Sequence, residues 1–315
     1  MISNRFRTLR PSVVSPRIGL LLVIALAAAA PAAASGGREG GRESEPRRGP
    51  IAVYASVMPQ ADIMQRIGGE LVEVGVLIGP GQDAHTYDPS PREIERLAAA
   101  ELLFTTGLEY ESRIVGTLER SARGVRIVDL AQGVELRQLE SHYHDPSVPH
   151  SHDNEPGDPH IWLGPSEVRR QAQTIRDAFI AARPAWEKQF RQGHERFLAE
   201  VDEIERELEE LLAPMRGSTI LVYHPAFGYF TDHFGITQLA VEAGGREPSP
   251  RRLEKTIELA LEAGVEVVFT QPEYDDVASR AVARAIGART VAISDLGDDW
   301  SQLMREIGQA ISGTR

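Results

Sequence analysis

Two trains of short apolar runs alternating with helix-patterned segments, separated by one long stretch almost free of helix breakers, constrain this 315-residue chain most. The first train opens at Ile51 with IAVYASVMP, read as an apolar strand that ends in a loop. ADIMQRIGG follows with helical spacing and stops at Gly68 and Gly69, and LVEVGVLIGP is a second strand. SPREIERLAAA carries a helix start: Ser90 can cap, Pro91 takes the first helical position and Glu93 completes a capping box. ELLFTTG and GVRIVDLAQG read as further strands. After Pro214 the alternation restarts with STILVYHP, ITQLAVEAGG, the capped helix PSPRRLEKTIELALEAG, VEVVFTQP, the helix DDVASRAVARAIG, TVAISD as a strand ending at Asp295, and the final helix WSQLMREIGQAI. Such alternation predicts βαβ units and a mostly parallel sheet.

Between the trains, residues 185–212 contain a single glycine, Gly193. Phe190, Phe197, Leu198, Val201, Ile204, Leu208 and Leu211 form one apolar stripe along them. A helix of that length spans about 40 Å, enough to cross from one domain to another. The expected class is therefore α/β: two lobes, each a mostly parallel sheet flanked by helices, joined by one long rigid helix. The expected organisation is a signal peptide over 1–34, a linker over 35–49, an N-terminal lobe over 50–183 with a His-rich loop at 140–159, a connecting helix over 184–213, and a C-terminal lobe over 214–315.

The N-terminus sets the compartment. Arg5, Arg7, Arg10 and Arg17 form a basic region, Ile18 to Ala30 is an apolar run, and Ala32, Ala33 and Ala34 offer a small-residue cleavage site. The apolar run is short for a membrane span, and SGGREGGRESEPRRGP after it reads as a flexible linker. The chain has no cysteine, which excludes disulfides, thiolate ligation and a lipid anchor on an N-terminal cysteine. An exported protein without such an anchor suits a periplasm. Cleavage after Ala34 removes four arginines and no acid, taking the formal charge from −12 to −16. Nucleic acid and anionic lipid are poor partners for so acidic a chain.

Three histidines stand in three separate strand-end contexts: His85 in GQDAHTYDPS, His160 in DPHIWLGPSEV and His224 in VYHPAFGYF. Imidazole nitrogen suits zinc, and three histidines with one carboxylate close a tetrahedral site. Each has a plainer reading when taken alone: a polar turn residue at 85, a strand- or helix-terminus residue at 160, a buried hydrogen-bonded imidazole at 224. His233 reads as structural or exposed, and His194 as a solvated residue on the long helix. His142, His144, His150 and His152 lie in an acidic, proline-interrupted segment that reads as a solvated loop. Closely spaced imidazoles there can bind a second zinc weakly. Tyr274, Asp275 and Asp276 read as a helix N-cap region, and Glu247 as a loop anchor.

In their order and spacing these segments resemble the metal-specific solute-binding proteins of zinc and manganese ABC transporters, the metal-binding cluster A-I type. The likeness covers nearly all of the chain from Ile51 onward. It rests on VYASVMP, DAHTYDPSP, DPHIWLGP, the long helix, HPAFGYFTDHFG, REPSPRRL and the terminal SDLG. The resemblance implies two α/β lobes joined by a rigid helix with metal held between them, and it carries His85, His160 and His224 over as ligands. Asp295 matches the acid that completes the site in part of the family, with Asp83 as the local competitor. Histidine at 224, where the manganese-leaning branch has Glu, and the His-rich loop both point to the zinc branch, with Mn2+ behind Zn2+.

The expected function is thus that of a periplasmic high-affinity zinc-binding protein, a monomer delivering metal to a membrane ABC permease, with a periplasmic metallochaperone as a further candidate partner. The alternatives are a periplasmic zinc-dependent hydrolase, which needs an open coordination position and a general base, and a metal-storage or adhesion protein using the His-rich loop. No HExxH pair and no G-x-S-x-G motif is present, so no enzyme is expected.

Overall fold

The computed structural model describes residues 49–79, 81–82, 87–121, 124–138, 157–242, 248–274 and 277–313. The signal segment, His85, Asp83, the histidines at 142, 144, 150 and 152, Glu247, Asp275 and Asp276 lie outside the described residues.

Two four-stranded sheets, parallel throughout, organise the chain. The first holds β1 (Ile51–Val57), β2 (Val72–Ile78), β3 (Leu102–Thr105) and β4 (Arg126–Asp129) in the order β2-β1-β3-β4. The second holds β5 (Thr219–Val222), β6 (Thr237–Ala240), β7 (Val267–Thr270) and β8 (Arg289–Ala292) in the order β6-β5-β7-β8. The helices are α1 (Met58–Gly68), α2 (Pro91–Ala99), α3 (Glu109–Ser121), α4 (Pro165–Ala182), α5 (Glu187–Leu212), α6 (Gly228–His233), α7 (Pro250–Glu262), α8 (Val277–Ile286) and α9 (Trp300–Ser312). In each sheet the first strand has its successor on one side and the third strand on the other. That reversal is a switch point, and ligands of open parallel sheets collect above the carboxyl ends there.

Local chemistry explains several boundaries. Ser90 accepts from the main-chain N–H of Glu93 while the Glu93 side chain accepts from that of Ser90, so the capping box forms as expected. Ser249 caps α7 through the N–H of Arg252. Three expectations need correction. β1 passes straight into α1 without a loop, because Pro59 is tolerated in the first helical turn. β8 ends at Ala292, so Asp295 lies in the loop three residues beyond. β5 ends at Val222, two residues before His224.

The long helix α5 buries Phe190, Gly193, His194, Phe197, Val201, Ile204, Leu208 and Leu212. Leu211, read from sequence as part of the stripe, is exposed, and His194, read as solvated, is buried with no hydrogen-bond partner for Nε2. The cause is the number of helices that α5 meets: α1, α4 and α9 all pack on it, so its buried arc is set by three neighbours. One core cluster accordingly runs from the first sheet through α5 to α9 and the second sheet, with a smaller one around Leu221, Val268, Ala260 and Val282. At the start of α9 the buried Trp300 ring meets Phe197 edge-on at 5.5 Å, and its main-chain N–H donates to Asp62. Arg66 on α1 ties Asp62, Glu200 on α5 and Asp299 together. Among the described residues no helix is long and apolar enough to cross a membrane.

Gly193 marks the closest approach of α5 to α1, since a Cβ there would stand 2.1 Å from the carbonyl oxygen of Ile67. In an open helix, alanine for glycine would gain about 1 kcal/mol. Here a main-chain atom must move instead, and overpacking of that kind costs about 1–3 kcal/mol. Gly193→Ala should therefore lower the urea midpoint.

A buried carboxyl sits beneath the first sheet's carboxyl end. Glu111 accepts from the N–H groups of Thr106 and Gly107 and from the Ser56 hydroxyl. Burial outweighs those bonds and pushes its pKa from 4.5 up to about 7. The folded chain thus holds this proton more tightly than the unfolded chain. Its contribution to stability is full below about pH 4.5 and falls by about 1.4 kcal/mol per pH unit towards about pH 7. Glu111→Gln can keep the same contacts, because the Ser56 hydroxyl can turn its one proton to Phe104 O and accept from the new amide. Urea midpoints compared between about pH 5 and about pH 8 should fall less in this variant than in the unmodified chain.

Candidate metal centre

The parallel register of the second sheet builds half of the site. β5 pairs with β6 at Val222 and Ala240, and with β7 at Val222 and Phe269. Two residues further on, the same register sets Glu242, His224 and Gln271 in one row above the switch point. The contacts follow. His224 Nδ1 lies 2.5 Å from Glu242 Oε2, and the main-chain N–H of His224 donates to Gln271 Oε1 at 2.8 Å. Gln271 Nε2 in turn donates to Asp295 Oδ1 at 3.1 Å, which anchors the loop after β8 to the same row. The ring of Tyr274 stacks on His224 at 4.8 Å, fixing the imidazole plane.

His160 supplies the other half, from a segment held over β3 by the Thr106 hydroxyl, which donates to Pro159 O. Asp158 Oδ1 accepts from both the main-chain N–H and Nδ1 of His160, at 3.0 and 2.7 Å. The 3-10 turn Ile161–Leu163 then carries Trp162, whose indole N–H donates to the main-chain oxygen of Asp295 at 2.7 Å. Trp300 donates to the main-chain oxygen of Trp162 at 2.8 Å. Two indoles thereby join the C-terminal helix, the His160 turn and the Asp295 loop.

His160 Nε2 and His224 Nε2 face each other at 3.0 Å. An ionised carboxylate can only accept, so Asp158 and Glu242 place the ring protons on Nδ1 and leave both Nε2 atoms as bases. Two lone pairs at that distance repel unless a proton or a metal cation lies between them. Zn–N bonds of 2.0–2.1 Å at a tetrahedral angle set two nitrogens about 3.3 Å apart, so small side-chain shifts open the pair to a metal. Burial pushes the pKa of His160 down, but the charges of Asp158, Asp295 and Glu242, with the Asp158 hydrogen bond, outweigh it and hold the imidazole above its ordinary value. The site thus favours positive charge although both imidazoles and the three carboxylates are buried.

Of the residues singled out from sequence, the structure sets His160 and His224 nitrogen to nitrogen, and Asp295 is linked to His224 through Gln271. His233 instead pairs with Glu205 at 2.8 Å. Among the described residues no set of three or more His, Asp or Glu side chains is arranged to hold a metal ion. Asp158, Glu242, Gln271 and Trp162 were not legible as site residues. Asp158 had a signal in its place two residues before His160. Glu242 and Gln271 emerge only once the strand register is known.

A family model described as zinc-uptake complex component A, periplasmic (ZnuA) matches residues 53–313. The chain is 27% identical over 265 residues to the high-affinity zinc uptake system protein ZnuA of Yersinia pestis, covering 78% of this chain and 83% of that protein. It is 30% identical to a crystal structure of ZnuA, with a TM-score of 0.75 over 84% of this chain and 99% of that one. A ZnuA deletion mutant described as having zinc bound matches with the same identity and TM-score, over 84% of this chain and 98% of that one.

Carboxylates that orient ligating imidazoles typically contribute about 10–100-fold to metal affinity. Glu242→Gln and Asp158→Asn keep an acceptor for Nδ1–H and lose the charge. Each should weaken binding of a divalent transition-metal ion by a factor in that range, read by competition against a chromogenic chelator.

Proposed function

Because the chain belongs to the periplasmic zinc-uptake component A family, we propose that it captures zinc in the periplasm with high affinity and hands it to an ABC permease. The observation that carries the reading is the pair of imidazole nitrogens 3.0 Å apart, each ring oriented by its own carboxylate, at the switch point of a parallel sheet. The solute is the metal ion itself, and no bond of the cargo is made or broken. This is no enzyme.

His160 and His224 are the histidine ligands among the described residues, Asp295 is the acidic ligand, and His85 is the third histidine ligand. Support for Asp295 comes from its burial, its tether through Gln271 to the His224 row and its charge acting on His160. Three neutral nitrogens and one anionic oxygen suit zinc, and histidine at position 224 places manganese second. His142, His144, His150 and His152 form a weaker accessory zinc loop. Residues 1–34 act as a removable export signal, and the mature chain works as a monomer, with a metallochaperone as a further candidate partner.

Zinc added to chelator-stripped protein should raise the melting temperature, by a stabilisation of about 2.7 kcal/mol at a hundredfold excess over Kd. Asp295→Ala should weaken zinc strongly, and Asp83→Ala much less. The reverse order in a competition titration would remove Asp295 from the ligand set. No thermal shift with zinc would sink the transport reading.

A further inference from the structure

Arg137 lies outside the nitrogen pair yet touches both lobes. Its carbonyl oxygen accepts from the N–H of Asp158 at 2.8 Å, and its neighbour Gln138 pairs antiparallel with Gly157. The segment bearing Arg137 therefore runs beside the one that leads into His160. Its guanidinium divides between two carboxylates. Nη1 donates to Asp158 Oδ2 at 3.2 Å, the oxygen opposite the one that orients His160. Nε donates to Asp232 Oδ2 at 2.6 Å, on α6 of the second lobe.

The surroundings are shaped for this side chain. A Cβ on Gly228 would stand 1.7 Å from Arg137 Nη1, so the start of α6 leaves the space the guanidinium fills. The Tyr229 ring lies 5.8 Å from the guanidinium carbon. The Tyr229 hydroxyl accepts from the main-chain N–H of Arg137 at 3.1 Å and donates to the main-chain oxygen of Asp158 at 2.8 Å. Asp158 is fully buried, whereas the Asp232 side chain is more than half exposed. The two arms thus differ in kind. One orders a buried carboxylate that sets a ligand's tautomer, and the other ties that carboxylate to the opposite lobe through an exposed ion pair of small intrinsic strength.

We propose that Arg137 is a positioning residue for metal retention: it clamps the carboxylate behind His160 to α6, so that His160 keeps its orientation only while the two lobes stay in register. The inference rests on reading His160 as a zinc ligand. A planar fork with several donors can serve both carboxylates at once. Lysine, a single ammonium on a flexible stem, can hold one well.

The test is the rate of zinc release into excess chelator, measured by stopped flow on the full chain. The unmodified protein is compared with Arg137→Ala, Arg137→Lys, Asp232→Asn and the Arg137→Ala, Asp232→Asn double variant, with metal-free melting temperatures beside each. Arg137→Ala should release zinc about 10-fold faster. Arg137→Lys should recover part of the loss, and Asp232→Asn should speed release less than Arg137→Ala. The double variant should be no faster than Arg137→Ala alone, because both substitutions break one connection. Release at the unmodified rate from Arg137→Ala, even with a lower metal-free melting temperature, overturns the inference and leaves the zinc site standing. Additive effects in the double variant overturn it as well. If Arg137→Ala does not fold, Arg137→Lys and Asp232→Asn decide, and unchanged release in both overturns the clamp. An unmodified chain that binds no zinc overturns the reading of the site, and the clamp with it.

Discussion

Two buried imidazoles meet nitrogen to nitrogen at 3.0 Å, and the structure around them exists to make that contact tolerable. Each ring is denied its usual freedom of tautomer by a carboxylate at Nδ1. The lone pairs left behind need positive charge between them. A proton can supply it, and a divalent cation can supply it while also balancing more of the surrounding carboxylate charge. Asp158, Glu242 and Asp295 are all buried, and removing three acids from water is unfavourable unless cations compensate. A dication in place of that proton would meet surroundings already polarised for it.

The two rings belong to different lobes, so their meeting depends on how the lobes are held. The second lobe offers His224 from a sheet row whose register is fixed by parallel pairing. The first offers His160 from a loop whose shape is fixed by side-chain bonds to Thr106, Asp158 and Tyr229. Between them, α5 is held on one arc by α1, α4 and α9. Trp300 fills the junction, with its ring against Phe197 and its two N–H groups spent on Asp62 and Trp162. The indole chain from Trp300 through Trp162 to the Asp295 main chain carries that rigidity to the edge of the histidine pair. Movement at the site is therefore expected in side chains and loops ahead of the helix frame.

Much of this was legible in the chain itself. Short continuous apolar runs alternating with helix-patterned segments bury best as parallel sheets covered by helices. The start of α2 was written in Ser90, Pro91 and Glu93, because capping is a local exchange of hydrogen bonds among residues three apart. His160, His224 and Asp295 were selected by their place near strand ends and by the resemblance to a metal-binding family.

What the sequence left open was decided by distances between residues far apart in the chain. Glu242 lies 18 positions from His224 and Gln271 lies 47, and only the register of β6, β5 and β7 sets them in one row. His194 looked solvated and Leu211 buried, because a periodic stripe marks the face of a helix that meets one neighbour, whereas α5 meets three. Arg137 is one of many arginines until Gly228 makes room for its guanidinium and two carboxylates from opposite lobes turn towards it. Sequence determined which elements form and which donor chemistry is available, since both follow from local periodicity and residue type. Tertiary structure alone decided which charge faces which nitrogen, since electrostatics and hydrogen bonding act over a few ångströms of space and are blind to separation along the chain.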